Sequence, residues 1–280
     1  MKTQANRILA VIDPTQVDQW ALRKALSIGG DQEGSRIFAY LCIHSNAKCD
    51  DRELLRSVEL RRHRLWLDDI LSDFAQQKAA IEPIVEWHPD WRQAICTAAH
   101  AADADLVIKR ASGRPNSLAN SDRQLIRTLK DSALLLVKHD PSAELRKVLV
   151  AVDFNARDEA HMALNAAVTE MGRRIRGSRS GIELHSIFAY PESDRFVHPP
   201  DIARALEIDR SQAHVRWGDA ADVIPDAANS IAADLVIIGN MGRRGLLGIT
   251  DANTAEKILT DIASDVLVLV REVQRARAAA

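Results

Sequence analysis

RILAVID, read over Arg7–Asp13, returns as KVLVAVD over Lys147–Asp153. In both places a basic residue opens a run of aliphatic side chains and an aspartate closes it. A run that polar residues do not interrupt is the pattern of a strand covered on both faces, and parallel sheets are built from such strands. The string ADLVI also occurs twice, over Ala104–Ile108 and Ala233–Ile237, and each copy then closes on a further aliphatic segment, Leu134–Val137 and Val266–Val270. Ahead of ADLVI, Ala94, Ile95, Ala98, Ala99 and Ala102 have the spacing of Val223, Ile224, Ala227, Ala228 and Ile231, one apolar stripe on a helix. A repeat with a period of half the chain means two copies of one unit, assigned here to 1–140 and 141–280 and joined by a short linker around Pro141 and Ser142.

Each copy reads as five strands alternating with four helices. The expected fold is α/β, as two tandem Rossmann-like domains, each a five-stranded, mostly parallel sheet with helices on both faces. Right-handed crossovers in such a sheet place ligands at the carboxyl ends of strands, beside the point where strand order reverses.

The 280 residues suffice for two domains, each able to bury a core. Apolar residues at 46% and charged residues at 27% exclude a disordered or fibrous chain, and only 4% aromatics leave packing to aliphatic groups. The formal net charge is −2, and the one dense basic cluster, Arg173, Arg174, Arg176 and Arg179 in a glycine-containing stretch read as a loop, is only weak support for nucleic-acid binding, so no nucleic-acid partner is expected. Met1–Ala10 holds no extended apolar segment and the longest apolar runs are of strand length, so neither a signal peptide nor a membrane span is expected. Cys42, Cys49 and Cys96 match no zinc or redox spacing, which suggests reduced thiols and a cytoplasmic location. The histidines form no compact ligand set, and no metal is assigned.

The strongest local signal follows Leu235–Ile238, where Gly239, Gly242, Gly245 and Gly248 precede Asn253-Thr254-Ala255-Glu256. Glycines at a strand end before a helix suit an anion, because backbone amides can approach it closely and the helix dipole favours negative charge. The same residues also read as a surface loop followed by a helix cap. Asp153 sits where a carboxylate would accept hydrogen bonds from a ribose or adenine, or where it would cap the following helix. Asp13 takes the matching place in the first copy, where capping is favoured.

VAVD over Val150–Asp153, the Gly239/Gly242 pair and Asn253-Thr254 together resemble the universal stress protein family, and the resemblance covers nearly the whole chain twice. DLVIKRA over Asp105–Ala111 and NTAE over Asn253–Glu256 resemble its tandem, E-type branch. The resemblance implies a stress-response protein with an adenine nucleotide, ATP or AMP, at Asp153, Ile238, Gly239, Gly242, Arg243, Ala252, Asn253 and Thr254. Members that bind ATP carry a glycine and a serine or threonine where this chain has Ala252 and Asn253, a departure that favours AMP or adenosine over ATP. It also implies that strands ending at Val137 and Val270 pair the two copies as an intramolecular pseudo-dimer, with a further homodimer left open.

The first copy has Lys109-Arg110-Ala111-Ser112-Gly113 after its strand, with one glycine where the second has four, so no family-type nucleotide site is expected there. Lys109 and Arg110 would fill the phosphate region or bind another anion. The helix within Asp50–Lys78, with Leu54, Val58, Leu65, Ile70 and Phe74 as its apolar positions, reads either as the roof of a pocket or as a surface helix packed on the sheet. Trp87 and Trp217 match between copies, as shared core positions or as a stacking platform. Three functional readings follow: a non-catalytic sensor of adenine nucleotide, a slow ATPase or phosphotransfer protein using Asp251, and a nucleotide-independent adaptor with another ligand in its first domain.

Overall fold

The computed structural model describes residues 6–45, 50–112, 120–240 and 258–270, with the backbone alone at 120 and 121. The chain divides into two compact units, 1–110 and 111–280.

In the first unit β1 (Arg7–Val11), α1 (Trp20–Gly29), β2 (Arg36–Ile43), α2 (Arg52–Ser72), β3 (Ala80–Trp87), α3 (Trp91–Ala101) and β4 (Leu106–Arg110) follow one another. The strands lie in the order β3-β2-β1-β4 and all pair in parallel. The order reverses at β1, so the crevice between the ends of β1 and β4 is the switch point.

The second unit holds α4 (Asn120–Thr128), β5 (Ala133–Val137), β6 (Lys147–Ala151), α5 (Glu159–Ser178), β7 (Glu183–Tyr190), α6 (Pro199–Leu206), β8 (Ala213–Trp217), α7 (Ala220–Ile231), β9 (Leu235–Asn240) and β10 (Asp265–Val270). Its order is β5-β10-β9-β6-β7-β8, parallel throughout except where β10 meets β5 antiparallel, with Val266 opposite Leu136 and Val268 opposite Leu134. The last strands of the two sequence copies thus pair, as the resemblance implied. All residues of β5, β9 and β10 are buried, which is why those segments are apolar without alternation.

The repeated strings have structural causes. In ADLVI the aspartate fastens the start of the neighbouring strand: Arg7 N–H donates to Asp105 Oδ2 at 2.9 Å, and the Arg146 and Lys147 amides both donate to Asp234 Oδ2 at 2.8 Å. The basic residue that opens each copy neutralises orphan carbonyls at a helix end, with Arg7 donating to Ala102 and Asp103 and Lys147 Nζ donating to Ile231 at 3.1 Å. Of the shared helical stripe, Ala94, Ile95, Ala99 and Ala102 are buried, as are Val223, Ile224, Ala227 and Ala228.

Three local expectations are corrected. Arg173, Arg174 and Arg176 lie in the last turns of α5 rather than in a loop, because the glycines there, Gly172 and Gly177, sit inside the helix; Gly172 lets α5 approach Val150 and Leu184. Arg173 and Arg176 donate to the carbonyls of Ala205 and Glu207 at the end of α6. On α2 the apolar positions Leu54, Val58 and Leu65 face solvent and only Leu67 is fully buried, since the helix packs on β3, an edge strand that is itself nowhere buried. Trp217 is 72% exposed at the end of edge strand β8, so it shares no core position with Trp87.

Candidate nucleotide crevice

In the second unit, Val150 of β6 stands beside Ile237 of β9 in parallel register. Asp153 lies three residues past the one and Asn240 three past the other, so Asp153, two residues beyond the end of β6, stands level with the last residue of β9. Strand order reverses at β6, so this crevice is the switch point of the unit, the place where sheets of this kind hold ligands. Asp153, Ile238 and Gly239 come together there. Gly242, Arg243, Asp251, Ala252, Asn253 and Thr254 lie outside the described residues.

Asp153 is not a helix cap. The N-cap of α5 is Asp158, which accepts from His161 N–H at 3.0 Å. Asp153 instead closes an Asx turn, its Oδ1 accepting the Asn155 amide at 2.8 Å. Its own peptide group is held by Asn165 of α5: Asp153 N–H donates to Asn165 Oδ1 at 3.3 Å, and Asn165 Nδ2 donates to the Asp153 carbonyl at 2.6 Å. Both backbone groups and one carboxylate oxygen are thereby satisfied, and Oδ2 has no hydrogen-bond partner among the described residues.

The first copy repeats the device with other residues. Asp13 N–H donates to Gln19 Oε1 at 3.0 Å, Gln19 Nε2 donates to the Asp13 carbonyl at 2.8 Å, and Thr15 donates both its amide and its hydroxyl to Asp13 Oδ1. The N-cap of α1 is Gln19, so Asp13 is no cap either. The clamping amides escape a spacing search because one lies six residues beyond its aspartate and the other twelve. A lone Asn inside the apolar face of α5, beside Leu164, was the available signal.

Gly239 is required by packing. A Cβ there would lie 2.6 Å from Cγ of Leu164 and 2.7 Å from its Cδ2, so the glycine admits α5 against the sheet. Ile238 is buried and pairs Val268. Beyond it, buried Asn240 donates Nδ2 to the Ile126 carbonyl at 2.9 Å and fixes the end of β9.

At the corresponding place in the first unit the end of β4 is tied to the start of α1. Arg110, at the end of β4, lies over the ring of Trp20 at 3.9 Å and donates to Gln16 Oε1 at 2.8 Å. Lys109 is buried, with Nζ 5.4 Å from the Trp91 ring and donating to the Arg110 carbonyl. Arg110 thus reaches from the end of β4 to Gln16, in the segment that follows β1.

A cleft of about 400 Å³ opens farther out in this unit, between the ends of β2 and β3 and helix α2. The helix thus packs on the edge of the sheet and also roofs a pocket. Trp87 stands here against His44, ring centroids 5.4 Å apart. Among the described residues no group of three or more His, Cys, Asp or Glu side chains is placed to hold a metal. No described helix is long and apolar enough to cross a membrane.

Comparison with known proteins agrees with this architecture. The model of the universal stress protein family matches residues 5–121 and again 144–271. Universal stress protein E of Escherichia coli K12 is 28% identical over 94% of this chain and 93% of its own, and the Haemophilus influenzae homologue of that protein is 24% identical over 93% and 96%. Among solved structures, a functionally unknown protein from Pseudomonas aeruginosa PAO1 superposes with a TM-score of 0.79 at 26% identity, covering 98% of this chain and 95% of that one. A universal stress protein from Archaeoglobus fulgidus shares the fold, with a TM-score of 0.69 at 16% identity over 96% and 97% of the two chains.

Proposed function

Because this chain belongs to the universal stress protein family, a stress-response class, we propose that its second copy is a sensor that binds an adenine nucleotide without dedicated catalysis. The observation that carries this reading is the position of Asp153, level with the last residue of β9. The register Val150 to Ile237 sets Asp153, clamped by Asn165 with Oδ2 to spare, beside the strand end that leads into the Gly239–Gly242 loop. A carboxylate oriented in this way accepts hydrogen bonds from ribose hydroxyls, and the loop amides supply donors to phosphate. Ala252 and Asn253, in place of the glycine and hydroxyl residue of ATP-binding relatives, favour AMP or adenosine over ATP. A non-glycine residue held at positive φ costs roughly 1 kcal/mol or more.

The first copy serves as a partner domain, in which Arg110 ties the end of β4 to Gln16. Cys42 and Cys96 are not joined in a disulfide, which suits the reducing cytoplasm. The test is calorimetric titration of ATP, AMP and adenosine into the full chain, with Asp153→Ala and Gly242→Val as controls. One saturable site, lost in both variants and strongest for AMP or adenosine, supports the sensor. Absence of saturable binding in the unaltered protein overturns it in favour of a nucleotide-independent adaptor.

A further inference from the structure

We propose that the cleft under α2 in the first unit is a binding site for a small flat aromatic acid, a ring system bearing a single carboxylate or comparable monoanion. The site is independent of the crevice between β6 and β9 and of the ligand proposed there.

The wall supplied by the sheet is aromatic. Trp87 ends β3, Ile43 lies beside it in register, and His44 follows at the end of β2. The Trp87 and His44 rings stand 5.4 Å apart and tilted by 57°, so the two form a contiguous aromatic wall of the cleft, against which a third ring can pack. Neither ring is packed away in the core. Trp87 is half-buried and His44 exposed, and a large aromatic residue left open beside a concave surface is a stacking platform rather than a core filler.

The wall supplied by α2 is charged. Glu59, Arg62 and His63 project from adjacent turns of the helix into the same cleft. Arg62 Nη2 holds a carboxylate oxygen of Glu59 at 2.7 Å, while His63 Nδ1 lies 2.8 Å from the Glu59 carbonyl and 3.5 Å from its carboxylate. The Arg62 side chain is 67% exposed, so its pair with Glu59 is a surface ion pair that contributes little. The planar guanidinium keeps further donors for a bidentate carboxylate.

The same geometry limits the anion. The polar wall consists of side chains beyond the first turn of α2, and the free amides of that helix belong to its first turn, starting at Arg52. Of the α2 side chains that line the cleft, Arg62 is the one with donors to offer, since His63 Nδ1 faces the Glu59 carbonyl; one guanidinium matches a single acidic group, whereas a polyphosphate needs a cradle of backbone N–H groups. The volume of about 400 Å³ falls within the range of ligand pockets, roughly 300–1,000 Å³.

The test uses the full chain and two probe pairs, indole-3-acetate with indole-3-acetamide and 1-naphthoate with 1-naphthamide, titrated by calorimetry. Saturable binding of the acids is expected, weaker by about tenfold for the amides and for Arg62→Gln, the loss of one charge-assisted hydrogen bond. Trp87→Leu is expected to weaken both acids by a similar factor, and Trp87→Phe, which keeps a ring, by clearly less. Arg61→Gln, on the same helix but outside the cleft, leaves affinity unchanged. Thermal melts confirm that each variant is folded. The proposal is overturned if neither acid binds saturably, if the amides bind as well as the acids, or if Arg62→Gln binds like the unaltered protein. The acids are expected to bind Asp153→Ala normally, and an AMP titration of the same samples separates failure of this site from failure of the nucleotide crevice.

Discussion

Replacing Gly239 by alanine adds one methyl group at a place where the nearest atoms of Leu164 lie 2.6 and 2.7 Å away. Both distances are far inside van der Waals contact, and Cγ is not the free end of a side chain, so α5 must shift or Leu164 must leave its rotamer. Inserting a methyl group into a tight core costs about 1–3 kcal/mol. In a unit of this size each kcal/mol lowers the melting temperature by about 2–4 °C. Leu164 is 4% exposed, so Leu164→Ala alone should cost about 2–5 kcal/mol through the cavity it leaves. The double variant is the informative one. The cavity made by shortening Leu164 is where the new methyl group of residue 239 points, so the pair should be less destabilised than the sum of the singles, by about 1 kcal/mol or more. Urea denaturation followed by far-ultraviolet dichroism, with the slope checked for constancy, reads all four corners of the cycle. If Gly239→Ala alone changes stability by less than about 0.5 kcal/mol, or if the two changes add, glycine is not there for packing. Its presence would then have to be explained by the loop that follows.

Asp234→Ala removes the acceptor of two strand-opening amides, Arg146 and Lys147, and should cost about 2 kcal/mol by chemical denaturation, a typical figure for bonds to a charged group. Cys42 has its thiol pushed up to about 11 by burial and by the nearby Glu86 carboxylate. At pH 8 it should be alkylated by iodoacetamide about a hundredfold more slowly than an ordinary thiol, because the thiolate is the reactive form, and mass spectrometry of tryptic peptides checks this. Lys138 is lowered to about 8, chiefly by burial, while Asp122, Asp265 and Asp261 pull the other way. Its unfolded form holds a proton that the folded form has lost between that pH and the usual lysine value. Its contribution to stability therefore rises with pH across that window. The difference in urea midpoint between the unaltered protein and Lys138→Met, followed from pH 7 to pH 10, should drift in favour of the unaltered protein, and a flat difference would refute the burial argument.

Much of the fold was legible because it rests on uninterrupted apolar runs. β1, β6, β9 and β10 are buried on both faces, and nothing but a covered parallel sheet explains such runs twice over in one order. What escaped reading was set by neighbours distant in sequence. Leu54, Val58 and Leu65 carry a helical apolar period, yet α2 lies on an edge strand with too little surface to cover them. Gly239 looked like the start of a phosphate loop, and its cause is Leu164, which no local pattern announces. The clamps on Asp13 and Asp153 come from different amides at different spacings, so the geometry repeats although the sequence does not. Of the crevice itself, Asp153 and the end of β9 were placed together by the topology the repeat implied, whereas the contacts of Arg110 depended on where Trp20 and Gln16 stand.

The antiparallel pairing of β10 with β5 has a consequence for how the chain is made. Leu136 and its partner Val266 are 130 residues apart (266 − 136), so the ribosome delivers one strand long before the other, a wait on the order of 10 s at common rates of synthesis. Throughout that interval the side of Ala133–Val137 that β10 will cover is an uncharged row of free amide and carbonyl groups, the kind of edge that recruits strands from other chains. Tethering the right partner to the same polypeptide ends the exposure by an intramolecular event, independent of protein concentration. A pair of separate single-copy chains would have to find each other for the same result, so the fused form gains most when the protein is scarce or newly induced.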